Sequence, residues 1–157
     1  MKTSLEQVNS FLGKKRLVVL GVSRDPQDFS HRLFQEFGKR GYGAIPVNPN
    51  ADEIDNQLCF SGLKELQSPV EAALIMTPIN LTDNALADCI NAGVENIWIY
   101  NSKGFETLNS DTLELCRQKN VNLITGLCPY MFWSDSSWFH RFHGWVMKMT
   151  GGYPKSK

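Results

Sequence analysis

The chain predicts an α/β fold, a doubly wound sheet of five parallel strands in the order 3-2-1-4-5, with an added C-terminal helix. Two observations predict it. Short, continuous apolar runs recur along the chain, and such runs suit parallel strands covered on both faces. Segments with apolar residues at helical spacing lie between them, so strand and helix alternate and right-handed crossovers join parallel neighbours.

The first strand is read at "RLVVLGV" (16–22) and the second at "AIPVN" (44–48), where Pro46 cannot donate to a ladder. "AALIMT" (72–77), "NIWIY" (96–100) and "VNLIT" (121–125) give the third, fourth and fifth. Residues 1–15 predict an N-terminal helix on the outside of the sheet. The first crossover helix carries the stripe Phe29, Leu33, Phe34 and Phe37, with Lys39, Arg40 and Gly41 as its basic last turn and stop. Its start is open between a cap at Asp25-Pro26 and one at Ser30. A second helix carries Leu81, Ala85, Leu86, Cys89 and Ile90 and ends at Gly93; a third carries Leu113 and Cys116 and ends near Asn120. The crossover from 49 to 71 is less regular, with room for one short helix around Leu63 to Leu66.

At 157 residues the chain is one domain, with a core over about 14–130 and a helical extension over 131–157. Sixteen basic and sixteen acidic residues cancel, so no global field recruits nucleic acid. Cys59, Cys89, Cys116 and Cys128 are far apart, which suggests neither a zinc site nor a dithiol redox pair. The polar, amphipathic start does not read as a signal peptide, and no apolar run approaches the ~20 residues of a membrane span. The expectation is a reduced, cytoplasmic, soluble protein.

Ligands in open parallel sheets bind beyond the carboxyl ends of the strands, where the strand order reverses. Gly21-Val22-Ser23-Arg24 follows the first strand; Gly21 allows close backbone approach, Ser23 offers a hydroxyl and Arg24 a planar cationic fork. The helix behind that turn would add free amides and the positive end of its dipole. An ordinary tight turn is the alternative. Val47-Asn48-Pro49 ends the second strand, Thr77-Pro78-Ile79-Asn80 follows the third, Asn101-Ser102-Lys103-Gly104 the fourth and Gly126-Leu127-Cys128-Pro129 the fifth. NAD is disfavoured. Ser23 stands where the glycine fingerprint would continue, and Asn48 where a carboxylate would hold the ribose hydroxyls.

The ordered set Gly21 to Arg24, Gly41-Tyr42, Pro46 to Pro49, Thr77-Pro78, Ala92-Gly93, Trp98 and Cys128-Pro129 resembles the CoA-binding domain family over about residues 14–130. No one of these motifs is specific; their order is. The chain departs from the family pattern at Asp55-Asn56, where a crossover glycine would follow Ile54, and at "YNSKGFE" after the fourth strand. The resemblance implies a Rossmann-like, nucleotide-binding fold, similar to the CoA-binding domain of the succinyl-CoA synthetase alpha subunit. It implies coenzyme A as the ligand, held by Gly21, Val22, Ser23, Arg24, Val47, Asn48, Pro49, Thr77 and Pro78, with the pyrophosphate partly on Ser23 and Arg24.

The function expected is therefore a non-catalytic CoA or acyl-CoA binding protein. An NAD(P)-linked oxidoreductase and an oligomeric interaction module with no small ligand are the alternatives. The acids show no convincing pair for general acid–base work, and no serine lies in an elbow sequence, so no catalytic residue is assigned. His140 and His143, one helical turn apart, could ligate a metal with Cys128, but Trp138, Phe142, Trp145 and Met149 make the same segment an aromatic stripe that must be covered, by the sheet or by a second subunit of a homodimer. No metal is assigned, and no membrane surface is expected. His31, in the first turn of the first helix near the expected phosphates, could help hold an anion but is expected to face solvent, and Cys128 is expected to be an inert thiol rather than a partner in a mixed disulfide with CoA.

Overall fold

The computed structural model describes residues 3–100 and 108–133. Helix α1 (Leu5–Leu12) begins in a reciprocal cap: the Ser4 hydroxyl accepts from the Gln7 amide at 3.2 Å, and the Gln7 side chain accepts from the Ser4 amide at 2.8 Å. Strand β1 (Arg16–Leu20), helix α2 (Phe29–Lys39) and strand β2 (Gly43–Val47) follow. The crossover holds a small hairpin, β3 (Glu53–Ile54) with β4 (Gln57–Leu58), and a 3₁₀ turn at Leu63–Glu65 where a short helix is expected. Strand β5 (Ala72–Ile75), helix α3 (Ile79–Asn91), strand β6 (Asn96–Ile99), helix α4 (Ser110–Gln118) and strand β7 (Asn122–Thr125) complete the sheet, and a 3₁₀ turn spans Pro129–Phe132. The expected C-terminal helix, with His140 and His143, lies beyond the described residues from 134 on, as does the loop at 101–107.

All five main strands are parallel, in the order β2-β1-β5-β6-β7. This corrects the expected order. The third strand pairs with the free side of the first, Val18 facing Ala73, instead of adding beyond the second. Pro46 supplies the reason. The β1-facing side of β2 is satisfied through Val47, whose carbonyl accepts from the Gly21 amide at 2.9 Å. Pro46 faces the other side, where it has a carbonyl and no donor, so β2 is an edge strand. That carbonyl accepts from the Phe60 amide at 3.1 Å, and Phe60 in turn accepts from the Asn48 amide at 2.9 Å.

The alternation of strand side chains separates two cores. Leu17, Val19, Ala72, Leu74, Trp98 and Ile124 face α1, α2 and the segment 127–133. Val18, Leu20, Ala73, Ile75, Ile97 and Ile99 face α3, α4 and the crossover around Leu63 to Val70. The first core is aromatic. Phe11 of α1 meets Trp98 edge-on at 5.2 Å, and Phe37 of α2 meets Trp133 at 5.0 Å. Trp98 is fully buried, and its indole N–H donates to the Leu127 carbonyl at 2.9 Å, tying the chain after β7 back to the centre of the sheet.

Trp98→Phe removes that donor and leaves a buried carbonyl unpaired beside a small void. Urea unfolding should show a loss of about 2–4 kcal/mol. A loss well below ~1 kcal/mol would mean that the Leu127 carbonyl finds another partner.

Candidate functional site

With β5 beside β1, the order in which strands are added to the sheet reverses between these two parallel strands, and the loops leaving their carboxyl ends meet at that switch point. A cleft of about 730 Å³ opens there, lined by Gly21, Ser23, Asp28, Phe29, Ser30, Met76, Thr77, Pro78, Ile79 and Tyr100. Its size suits a drug-sized or cofactor-sized molecule.

Gly21 sets the base of the cleft. Its φ is +85°, and a Cβ there would lie 2.8 Å from the Thr77 amide nitrogen and 2.9 Å from the Met76 carbonyl. The backbone that needs the space is therefore that of the chain leaving β5. A glycine is required at this position whether or not a ligand is bound.

The turn after Gly21 is held from three sides. The Ser23 amide donates to the Ser30 hydroxyl at 2.9 Å, and the Ser23 hydroxyl accepts from the Asp25 amide at 3.1 Å. The Ser23 carbonyl receives the Nδ1 of His31 at 2.7 Å. His31 is 2% exposed, so the solvent-facing histidine expected from the sequence is corrected: its ring is buried between the turn and the hairpin, with Nε2 3.0 Å from Asp55 Oδ1. Asp55 and Asn56, at φ 51° and 58°, form the two-residue turn of that hairpin, in the left-handed conformation that Asp and Asn tolerate.

Helix α2 does not offer the free amino end expected of it. Its cap is Asp28, rather than Asp25 or Ser30. One Asp28 oxygen accepts from both the Ser30 amide at 2.8 Å and the Ser30 hydroxyl at 2.5 Å. Helix α3 differs. Its cap position is Pro78, with no side-chain hydrogen bond to the first turn, whereas α1, α2 and α4 are each capped by a side chain. Pro78 and Ile79 line the cleft, so amides at the start of α3 that helical bonding leaves free stand beside it.

Of the nine expected ligand residues, Gly21, Ser23, Thr77 and Pro78 meet in the cleft. Val22 and Val47 are buried behind it. Asn48 is spent internally: its amide donates to the Val22 carbonyl at 2.8 Å, and its oxygen accepts from the Asn50 amide at 2.9 Å, which locks the β1 and β2 ends together. Arg24 and Pro49 are exposed and outside the lining. Sequence reasoning missed the aromatic wall. Phe29 and Tyr100 stack at 4.9 Å, and Tyr130 meets Phe29 at 5.9 Å. A tyrosine closing the strand run "NIWIY" was the available signal for Tyr100, and Asp28 directly before the first residue of the helical stripe was the signal for the cap.

Burial raises the pKa of the Tyr100 hydroxyl above the ordinary tyrosine value. Burial also pushes the Cys128 thiol up to about 11, against a smaller opposing effect of hydrogen bonds from Tyr130 and Tyr100. Thiolate, the nucleophilic form, is then scarce at neutral pH.

The CoA binding domain family model matches residues 15–134. The chain is 25% identical over 114 residues to the uncharacterized protein YneT of Bacillus subtilis, covering 73% of this chain and 82% of that one. It is 26% identical over 98 residues to the alpha subunit of ADP-forming acetate–CoA ligase II of Pyrococcus furiosus, covering 62% of this chain and only 21% of the subunit. A solved structure of a hypothetical protein from Pyrococcus horikoshii superposes with a TM-score of 0.67 at 18% identity, over 76% of this chain and 82% of that one, and shares its fold. Among the described residues no helix is long and apolar enough to cross a membrane.

Two outcomes are expected. Gly21→Ala combines left-handed strain with a backbone clash and should cost about 2–5 kcal/mol in the ligand-free protein; an unchanged thermal melt would return Gly21 to a purely ligand-facing role. Cys128 in the folded protein should react with iodoacetamide far more slowly at pH 7 than in urea, and faster as pH rises toward 11, where the thiolate forms. Equal folded and unfolded rates at pH 7 would show a thiol that burial does not hold neutral.

Proposed function

Since this chain belongs to the CoA-binding domain family, whose model spans residues 15–134, we propose that it binds coenzyme A or an acyl-CoA in the cleft between β1 and β5 and catalyses no reaction of its own. The observation that carries this reading is the cleft at the switch point, with a tight glycine turn on one side and an uncapped helix start on the other. The pyrophosphate is assigned to the start of α3 and to the Ser23 hydroxyl facing it, because the Gly21 and Ser23 amides already donate to Val47 and Ser30 and the start of α2 already holds the Asp28 carboxylate. The stacked Phe29 and Tyr100, with Met76 and Ile79, form an apolar wall for the adenine or the pantetheine arm. Arg24, exposed one residue beyond Ser23, is assigned the outer phosphates.

The chemistry of the lining supports a binding role. Among the described residues its titratable side chains are Asp28, engaged with Ser30, and Tyr100, a phenol whose pKa burial raises further. They make no acid–base pair, and Cys128 is a poor nucleophile at neutral pH. Asn48, bonded to Val22 and Asn50, leaves no carboxylate for the ribose of NAD.

Calorimetric titration should give tighter binding of CoA than of NAD, and the reverse order would overturn the reading. Arg24→Ala should weaken CoA about ten- to a hundredfold, the worth of a charged hydrogen bond, with an unchanged melt. Arg24→Lys should recover part of the loss, because it keeps the charge and loses the fork. Full affinity in Arg24→Ala would leave the phosphates to Ser23 and backbone amides.

A further inference from the structure

We propose that His31 is a positioning residue whose positive charge clamps the Ser23 turn to Asp55, so that ligand affinity in the cleft depends on the charge of a buried ring that does not line it. The inference rests on the CoA reading of the cleft and adds to it a residue and a pH dependence.

The hydrogen-bond inventory of the ring carries the argument. The Ser23 carbonyl, 2.7 Å from Nδ1, can only accept, so Nδ1 bears a hydrogen. Asp55 Oδ1, 3.0 Å from Nε2, is also an acceptor when ionised, and the other Asp55 oxygen already accepts from the Gln35 amide at 2.9 Å. Both ring nitrogens therefore meet acceptors, and a neutral imidazole has one hydrogen for the two. The pair is satisfied as an imidazolium against a carboxylate, with the ring side chain 3% exposed and that of Asp55 35% exposed.

The other charged groups near the ring are arranged differently. Asp28, one turn earlier on α2, is engaged with Ser30. Arg24 and Asp25 on the turn, Arg32 on α2, and Asp52 and Glu53 before the hairpin are exposed. Among the described residues, Asp55 is the charged side chain in contact with the ring. The clamp acts on the cleft through Ser23, whose carbonyl it fixes, and so through the turn on which the pyrophosphate is assigned. A ring carrying one hydrogen would set a bare lone pair against one of the two acceptors and loosen the turn.

The sign follows from the two acceptors: the doubly protonated ring favours binding over a neutral one, so affinity is expected to be lower toward alkaline pH. The ligand's own 3′-phosphate titrates near a pKa of about 6, and a variant series with the same ligand removes that contribution. CoA affinity would be measured by calorimetry from acid to alkaline pH for the parent, His31→Gln and Asp55→Asn. The parent should lose about tenfold more affinity across the range than His31→Gln, which has no ring to titrate and should bind about tenfold more weakly at the acid end. Asp55→Asn should keep near-parental affinity with the His31-dependent slope removed. Its amide can donate to a bare Nε2 while its oxygen still accepts from Gln35, so a neutral ring satisfies both sides. Asparagine also suits the φ of 51° at this position.

Nitrogen-15 NMR of the ligand-free parent supplies an independent reading, with both ring nitrogens protonated at the pH of tightest binding. Identical pH profiles for the parent and His31→Gln would overturn the proposal, as would a bare ring nitrogen at that pH. If the parent binds no CoA at any pH, the functional reading of the cleft fails and the affinity claim goes with it. The NMR measurement still decides whether the charged clamp exists.

Discussion

The contact on which the site depends is between two backbones. The chain leaving β1 at Gly21 passes so close to Met76 and Thr77 that no side chain fits between them. That approach lets β5 lie directly beside β1 and brings the two loops that follow them to one place. A β-carbon would force the loops apart or break the last rungs of the β1–β5 ladder. The Gly21 amide meanwhile donates to Val47, so one residue joins the ends of three neighbouring strands.

From this base, polar groups around the cleft divide into those already satisfied and those left open. Asp28, Ser30, Ser23 and Asn48 bond mainly to one another and to nearby backbone, and they stiffen the floor. The start of α3 is left without a side-chain partner. A carboxylate on one helix start and none on the other makes the electrostatics of the cleft lopsided: an anion is disfavoured beside α2 and favoured beside α3. The aromatic stack of Phe29 and Tyr100 bridges α2 and β6 on the apolar side.

The position of nearly every described element was legible, because apolar periodicity is a local signal. The strand order was not, although its determinant was visible. Pro46 was read only as a residue that cannot donate to a ladder, and that missing donor makes β2 an edge and sends the third strand to the far side of β1. About half of the expected ligand residues meet in the cleft, because the rule that ligands bind at strand ends names loops and leaves open which side chains turn inward. Asn48 turned to the backbone instead. His31 was misread because its partner lies 24 residues away on a hairpin turn, and no spacing rule links the two. The hairpin itself was missed. Asp55 and Asn56 replace the glycine expected there, and two adjacent left-handed residues close a turn that a single glycine signal does not announce.

The closed edge at β2 also bears on how copies of this chain can meet. Pro46 and Asn48 are bonded to Phe60 along the outer side of the strand, so both backbone groups of Phe60 are already spent. An incoming strand would find the Pro46 carbonyl and the Asn48 amide already engaged at this end of β2. A second copy pairing with this end of β2 would have to displace Phe60 before a shared backbone ladder could form.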